Sequence, residues 1–188
     1  LGQPLHAFDL DDIKYNKMTV KMAEEGEKFT TLDGVERTLT SDMLVIGNQD
    51  KTLDLAGIMG GENSEIKDTT TSIFIEGASF AKENIRATSK KLGLRTEASS
   101  RFEKGIDINL AEEAVNRACQ LIEELGCGTV LNGMLDYYPQ KEEVQKVTVN
   151  PVRINKLLGV NVPMDQFINI LESLEFKCNL VSSEVLEL

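Results

Sequence analysis

A single histidine, His6, occurs in the 188 residues, and neither an HExxH helix nor any other metal-ligand cluster surrounds it. Cysteine is scarce as well. Cys119, Cys127 and Cys178 are odd in number and widely spaced, with no CxxC pair, so neither a disulfide framework nor a zinc site is supported and reduced thiols are expected. No window approaches the roughly 18 consecutive apolar residues of a membrane span, and no charged start with an apolar run marks a signal peptide. The chain therefore reads as cytoplasmic, with no membrane partner. The Gly-Lys-Ser/Thr ending of a phosphate loop, the GxGxxG spacing and a Ser-His-Asp order around a nucleophile elbow are all missing. Internal repeats and low-complexity tracts are also absent. A net charge of -11 argues against nonspecific nucleic-acid binding by the whole surface, because that mode neutralises phosphates with Lys and Arg.

Hydrophobic residues make up 41% and charged residues 27%, the balance of a soluble globular protein rather than a disordered one. The length suits one domain plus part of another. Starting at Leu1 without a methionine and stopping in "SSEVLEL", a strand-like run, the chain is expected to be a piece of something longer. Positive charge is segregated. Between Lys82 and Lys104 seven cations stand against three glutamates, a local +4 that leaves -15 on the remainder. Such a segment steers an anionic ligand to one region, or it is a solvated helix face with counter-charges elsewhere.

The first 80 residues read mostly as strands. Met18, Val20 and Met22 alternate with Thr19 and Lys21, which predicts a half-buried strand. "KFTTLDGVERTL" places Asp33-Gly34 between two alternating arms, a hairpin signal. "MLVIG" and "TLDLAGIMGG" pair across "NQDK", and "SIFIEGA" adds a strand ending near Glu76. "SFAKENIRATSKKLG" predicts a helix with Ser79 as N-cap and Gly93 beyond its end. A second helix is predicted from a capping box of Asn109 and Glu112 to a stop at Gly126, and "GTVLNGMLDYYP" predicts a final core strand. Composition shifts near Pro139, dividing the chain into residues 1–140 and 141–188. The second part holds "VTVN", a short helix from Pro151 to Gly159, and an amphipathic helix over "PMDQFINILESLEF". The pattern as a whole is α+β: a mixed, mainly antiparallel sheet with helices packed on it, then a truncated small helical, winged-helix-like unit.

Three stretches carry candidate chemistry. In "AGIMGGENS", Gly57, Gly60 and Gly61 make either a structural turn or a place where a ligand approaches the backbone with no Cβ in the way. Glu76 interrupts the apolar run "SIFIEGA" and shares a strand face with Phe74. If that face is buried, its carboxyl needs a partner or its pKa rises; otherwise it is a strand end reaching solvent. "RTEASSRFEKG" combines small residues with arginines able to fix anionic groups, or is a surface loop. His6 taken alone reads first as a structural histidine.

Together, "GQPLHAFD", "LAGIMGGENSE", "IFIEGASF" and "LGLRTEASSRFEKGID" resemble, in order, the central region of the bacterial phenylalanyl-tRNA synthetase beta subunit. "VTVNPVRINKLLGVNVPMDQFINILESLEF" resembles the start of the small domain that follows it. The resemblance implies that residues 1–140 are an editing domain lacking its N-terminal part, and that residues 141–188 begin the next domain. It implies hydrolysis of tyrosine wrongly esterified to phenylalanine tRNA. An apolar synthetic pocket rejects an isostere with an added hydroxyl only about 10²-fold, so a second site must check the product. By motif position, His6 is the candidate catalytic residue, beside the ester or the terminal adenosine. Glu76 senses the tyrosine hydroxyl, Gly60 forms the pocket wall, and Thr96 and Ala98 leave room for the amino acid. From charge rather than family, Arg86, Lys90, Arg95 and Arg101 are candidates for tRNA phosphates. The resemblance implies phenylalanine tRNA and a synthetase alpha subunit, in an alpha2beta2 enzyme, as partners. No cofactor or metal is expected in these residues, ATP and magnesium being bound elsewhere in the full enzyme. A noncatalytic tRNA-docking or scaffold module, and a free-standing deacylase acting in trans, are the alternatives.

Overall fold

Short strands broken by Asp-Gly, Asn-Gln-Asp and glycine turns build the first unit, Leu1–Asn132, of the computed structural model, which describes residues 1–13, 17–139, 141, 145–182 and 185–188. β1 (Leu5–Asp9) pairs with β8 (Ile73–Gly77) as a separate two-stranded ribbon. β2 (Thr19–Met22), β5 (Leu44–Gly47), β6 (Thr52–Leu55) and β7 (Met59–Gly60) form a four-stranded sheet in the order β2-β5-β6-β7. β3 (Lys28–Thr30) and β4 (Glu36–Thr38) make the hairpin expected around Asp33-Gly34. Every strand pairing among the described residues is antiparallel. Three helices follow: α1 (Lys82–Leu92), α2 (Glu97–Phe102) and α3 (Leu110–Glu124).

Alternation on the central strands divides the apolar side chains between two cores. Val45 and Ile46 are neighbours on β5 and point to opposite faces. Val45 joins Phe29, Leu55, Ile85 and Phe102, which anchors α1 and α2 to the sheet. Ile46 joins Phe8 and Leu53, which anchors the β1-β8 ribbon. All four residues of β6 are buried, so this strand passes through the middle of the unit. Gly57, at φ +68°, turns the chain from β6 into β7 where a Cβ would strike Phe80 and Ile85.

The second unit, Gly133–Leu188, holds β9 (Thr148–Val149), α4 (Pro151–Leu158), α5 (Met164–Ser173), β10 (Asn179–Ser182) and β11 (Val185–Glu187). Its antiparallel sheet runs β10-β11-β9. Pro151 opens α4, Asn150 caps it through the Arg153 amide at 2.9 Å, and Gly159 closes it at φ +70°. The α+β class read from the sequence is the class observed.

Several local expectations are corrected. α1 starts at Lys82 with Ala81 at its N-cap, not Ser79, and no side chain caps it. Asn109 does not form a capping box with Glu112: it is itself helical, at φ -71° and ψ -15°, and its amide turns back to Asp107. "RTEASSRFEKG" is not a loop but carries α2. Thr96 accepts from the Ser99 amide while Ser99 Oγ accepts from the Thr96 amide, the reciprocal box that reading for Glu or Gln at the third position overlooks. "GTVLNGMLDYYP" forms no strand, and Leu131, Leu135 and Tyr137 stand exposed along it. β2 exists, but Val20 and Met22 face outward while Thr19 and Lys21 take the half-buried side.

Candidate functional site

The β1-β8 ribbon sets the first part of the site. Gln3 donates to the Ala78 carbonyl at 2.7 Å, tying the start of one strand to the end of the other. The resulting register puts Phe8 opposite Phe74 and His6 opposite Glu76. Directly paired residues of an antiparallel ladder project to one face, so these four side chains share it. Phe8 is fully buried in the second core and meets the His6 ring edge-on at 4.4 Å between centroids. His6 and Glu76, the next pair on that face, are only half-buried. The face thus grades from packed core to an open position.

β7 closes the position from the other side. A Cβ built on Gly60 would lie 2.8 Å from His6 Nε2, closer still to Cε1, and 3.1 Å from Leu32 Cδ1. Only the absence of a side chain lets the imidazole rest there. The Gly60 carbonyl accepts from the Leu32 amide at 2.9 Å, and the Gly61 amide donates to Leu53 at 2.8 Å, so the segment is held on both sides.

Gly60 pairs with Asp54 across β6 and β7. By the same rule of shared face, Asp54 projects to the side on which Gly60 meets His6. Asp54 is 4% exposed, a carboxylate on a strand otherwise flanked by leucines. Sequence reasoning missed it, although "TLDLAG" carries the same signal as "SIFIEGA": an acid interrupting an apolar run.

The electrostatics follow from burial. Desolvation pushes the Asp54 carboxyl up to about 7. Desolvation first, and the field of Asp54 second, push Glu76 up to about 8. Each carboxyl is held protonated by burial, and a negative charge on Asp54 adds to that at Glu76. Glu76 Oε2 is buried with no hydrogen-bond partner, an acceptor left unfilled. Burial lowers the His6 pKa, so the imidazole is neutral at neutral pH and able to take a proton or a hydrogen bond. The site therefore offers a neutral base, an unfilled acceptor and a gap with no side chain.

Thr96 and Ala98, at the start of α2, are not brought onto the His6 face: they meet the chain just before Gly60, where Met59 and Gly60 point to opposite sides of β7. The Thr96 hydroxyl donates to the Ile58 carbonyl at 2.8 Å, two residues before Gly60. Ala98 packs on the first core together with Met59, one residue before Gly60. The basic candidates gather elsewhere. Arg86, Lys90 and Arg95, with Lys104 and Glu103, line a cleft of about 510 Å³ between α1 and the end of α2. Arg95 is partly committed there, to Ser100 at 3.1 Å and Glu103 at 3.4 Å. Arg101 is not part of this cleft: it points toward Gly2 and pairs loosely with Glu97 at 3.9 Å.

Residues 1–127 match the family model described as the B3/4 domain. The chain belongs to the B3/4 domain family. This B3/4 domain chain is 49% identical over 175 residues to the phenylalanine-tRNA ligase beta subunit of Clostridium acetobutylicum, covering 93% of the chain and 22% of that protein. It is 46% identical over 187 residues to the same subunit of Geobacter metallireducens, covering 100% of the chain and 23% of that protein. The chain thus spans about a fifth of the length of the relatives it matches. A solved N-terminal fragment of the phenylalanyl-tRNA synthetase beta subunit of Pyrococcus horikoshii covers 97% of the chain and 52% of its own at 18% identity. Its TM-score of 0.46 is too low to add to the assignment. Among the described residues, no helix of the B3/4 domain chain is long and apolar enough to cross a membrane.

Proposed function

We propose that this B3/4 domain is the editing module of a cytoplasmic phenylalanine-tRNA ligase beta subunit, and that it hydrolyses the ester joining tyrosine to phenylalanine tRNA. The observation that carries the reading is the convergence of His6, Gly60 and Glu76, distant in sequence, on one half-open position. A tyrosyl side chain entering beside Gly60 would donate its phenolic hydrogen to the open Oε2 of Glu76. Phenylalanine would leave the same buried oxygen unpaired, at roughly 1–3 kcal/mol. Rejection of phenylalanine is therefore built into the unfilled acceptor.

The ester would lie toward His6, whose neutral imidazole accepts a hydrogen bond from the attacking water or from the terminal ribose. Thr96 and Ala98 act through the Ile58–Met59 segment that carries Gly60. The cleft of Arg86, Lys90 and Arg95 receives tRNA phosphates by charge-assisted hydrogen bonds, and Arg101 contributes from a separate position. In the complete enzyme an alpha subunit would complete an alpha2beta2 assembly, with ATP and magnesium held outside these residues. The reading is tested by charging phenylalanine tRNA with tyrosine and measuring its release by the full-length enzyme, with and without Gly60→Trp. Release that depends on an open Gly60 supports it; equal release from both enzymes refutes it.

A further inference from the structure

We infer that Asp54 is a positioning residue for the specificity of this pocket: its carboxylate, on the side of β6 that carries Gly60 against His6, tunes how strongly Glu76 tells a substrate hydroxyl from a bare ring. The inference rests on the editing reading and deepens it. Asp54 is directed to the pocket by three contacts in series: His6 opposite Glu76, Gly60 against the His6 ring, and Asp54 opposite Gly60. The groups that meet Glu76 can be named element by element. His6 faces it from β1 and is neutral, and Asp54 acts on it from β6. α3 approaches β8 at Gly77 through Ala111 and Val115, neither of them charged. Asp54 is thus the charge whose field reaches Glu76.

Asp54 is a buried carboxylate and fills β6 at more cost than an apolar side chain of similar size. Its effect is on the neighbour. Without a proton, Glu76 accepts a phenolic hydroxyl in a charge-assisted hydrogen bond and is left as a naked carboxylate when a phenyl ring enters. With a proton, both the gain and the penalty shrink. Discrimination between tyrosyl and phenylalanyl esters therefore rises with pH as Glu76 ionises, and Asp54 holds that rise at high pH.

The test uses the full-length enzyme and the ratio of kcat/KM for tyrosyl over phenylalanyl ester of phenylalanine tRNA, from pH 6 to 9.5, so that the pH dependence of ester hydrolysis itself cancels. Infrared titration of the protonated-carboxyl band lost in Glu76→Gln gives the Glu76 midpoint independently of activity. In the unsubstituted enzyme the ratio should rise as pH passes about 8, the value at which Glu76 ionises. Asp54→Asn and Asp54→Ser, which remove the charge with different shapes, should both move the rise and the infrared midpoint down by roughly 1 pH unit. An unmoved midpoint in both variants, with tyrosine still preferred, overturns the role of Asp54 and leaves the editing reading standing. Absence of tyrosine release in the unsubstituted enzyme overturns the editing reading, and the specificity role with it.

Discussion

His6 lies directly opposite Glu76 in the antiparallel register of β1 and β8, so the only histidine of the chain and a carboxyl 70 positions later share one face of one ribbon. That register turns two unremarkable residues into a pocket. Phe8 and Phe74, the next pair on the same face, fix it by packing into the core. A slip of one residue would send His6 to the opposite face.

Glu76→Ala should cost the preference for tyrosyl over phenylalanyl ester by roughly 10-fold or more, the free energy of one buried hydrogen bond to a carboxyl. Release rates for both esters, measured side by side, check it. Unchanged discrimination would remove the sensor role from Glu76.

Gly60→Trp should abolish tyrosine release while aminoacylation by the same enzyme stays normal. The indole must begin where the His6 ring already lies. Gly60→Ala should show an intermediate loss, because its single methyl already forces the imidazole to shift. Full release from Gly60→Trp would place the pocket elsewhere.

Buried acid sites make stability depend on pH in a defined direction. Asp54 and Glu76 ionise higher in the fold than in the unfolded chain, so between about pH 4 and 8 the native state binds more protons and stability falls as pH rises. His6 acts oppositely below its ordinary pKa: its folded value is lowered, so its share of stability is lost on acidification. Asp54→Asn should therefore raise the melting temperature at pH 8 more than at pH 5, by a stability difference on the order of 1–3 kcal/mol. Melting curves at the two pH values decide it.

The basic cleft predicts a salt signature. Charge reversal at Arg86 and Lys90 should weaken tRNA binding and flatten the dependence of log Kd on log salt. Arg101→Glu, outside the cleft, should do so by a smaller step. Equal slopes for all variants would return the run to a solvated surface.

Much of this was legible in the sequence, for physical reasons. Asp-Gly and the glycine after "DLA" announce turns because few other residues take their backbone angles, and the turns then fix the strands between them. Glu76 was legible because a carboxylate in an apolar run demands an explanation. Asp54 meets the same criterion but sits between Leu53 and Leu55 just before a glycine-rich turn, and only the register with Gly60 shows where it points. Alternation found β2 but inverted its face, since a period of two says which residues share a side and not which side is covered. The charge run was legible as a run. Its division into a cleft of Arg86, Lys90 and Arg95 and a separate Arg101 depends on how α2 packs beside α1.

The most direct test of the account is release of tyrosine from tyrosyl phenylalanine tRNA by the full-length enzyme, compared with release of phenylalanine from the correctly charged tRNA. The account predicts fast release of tyrosine, slow release of phenylalanine, and loss of that difference in Glu76→Ala. Equal rates for the two esters in the unsubstituted enzyme would contradict it.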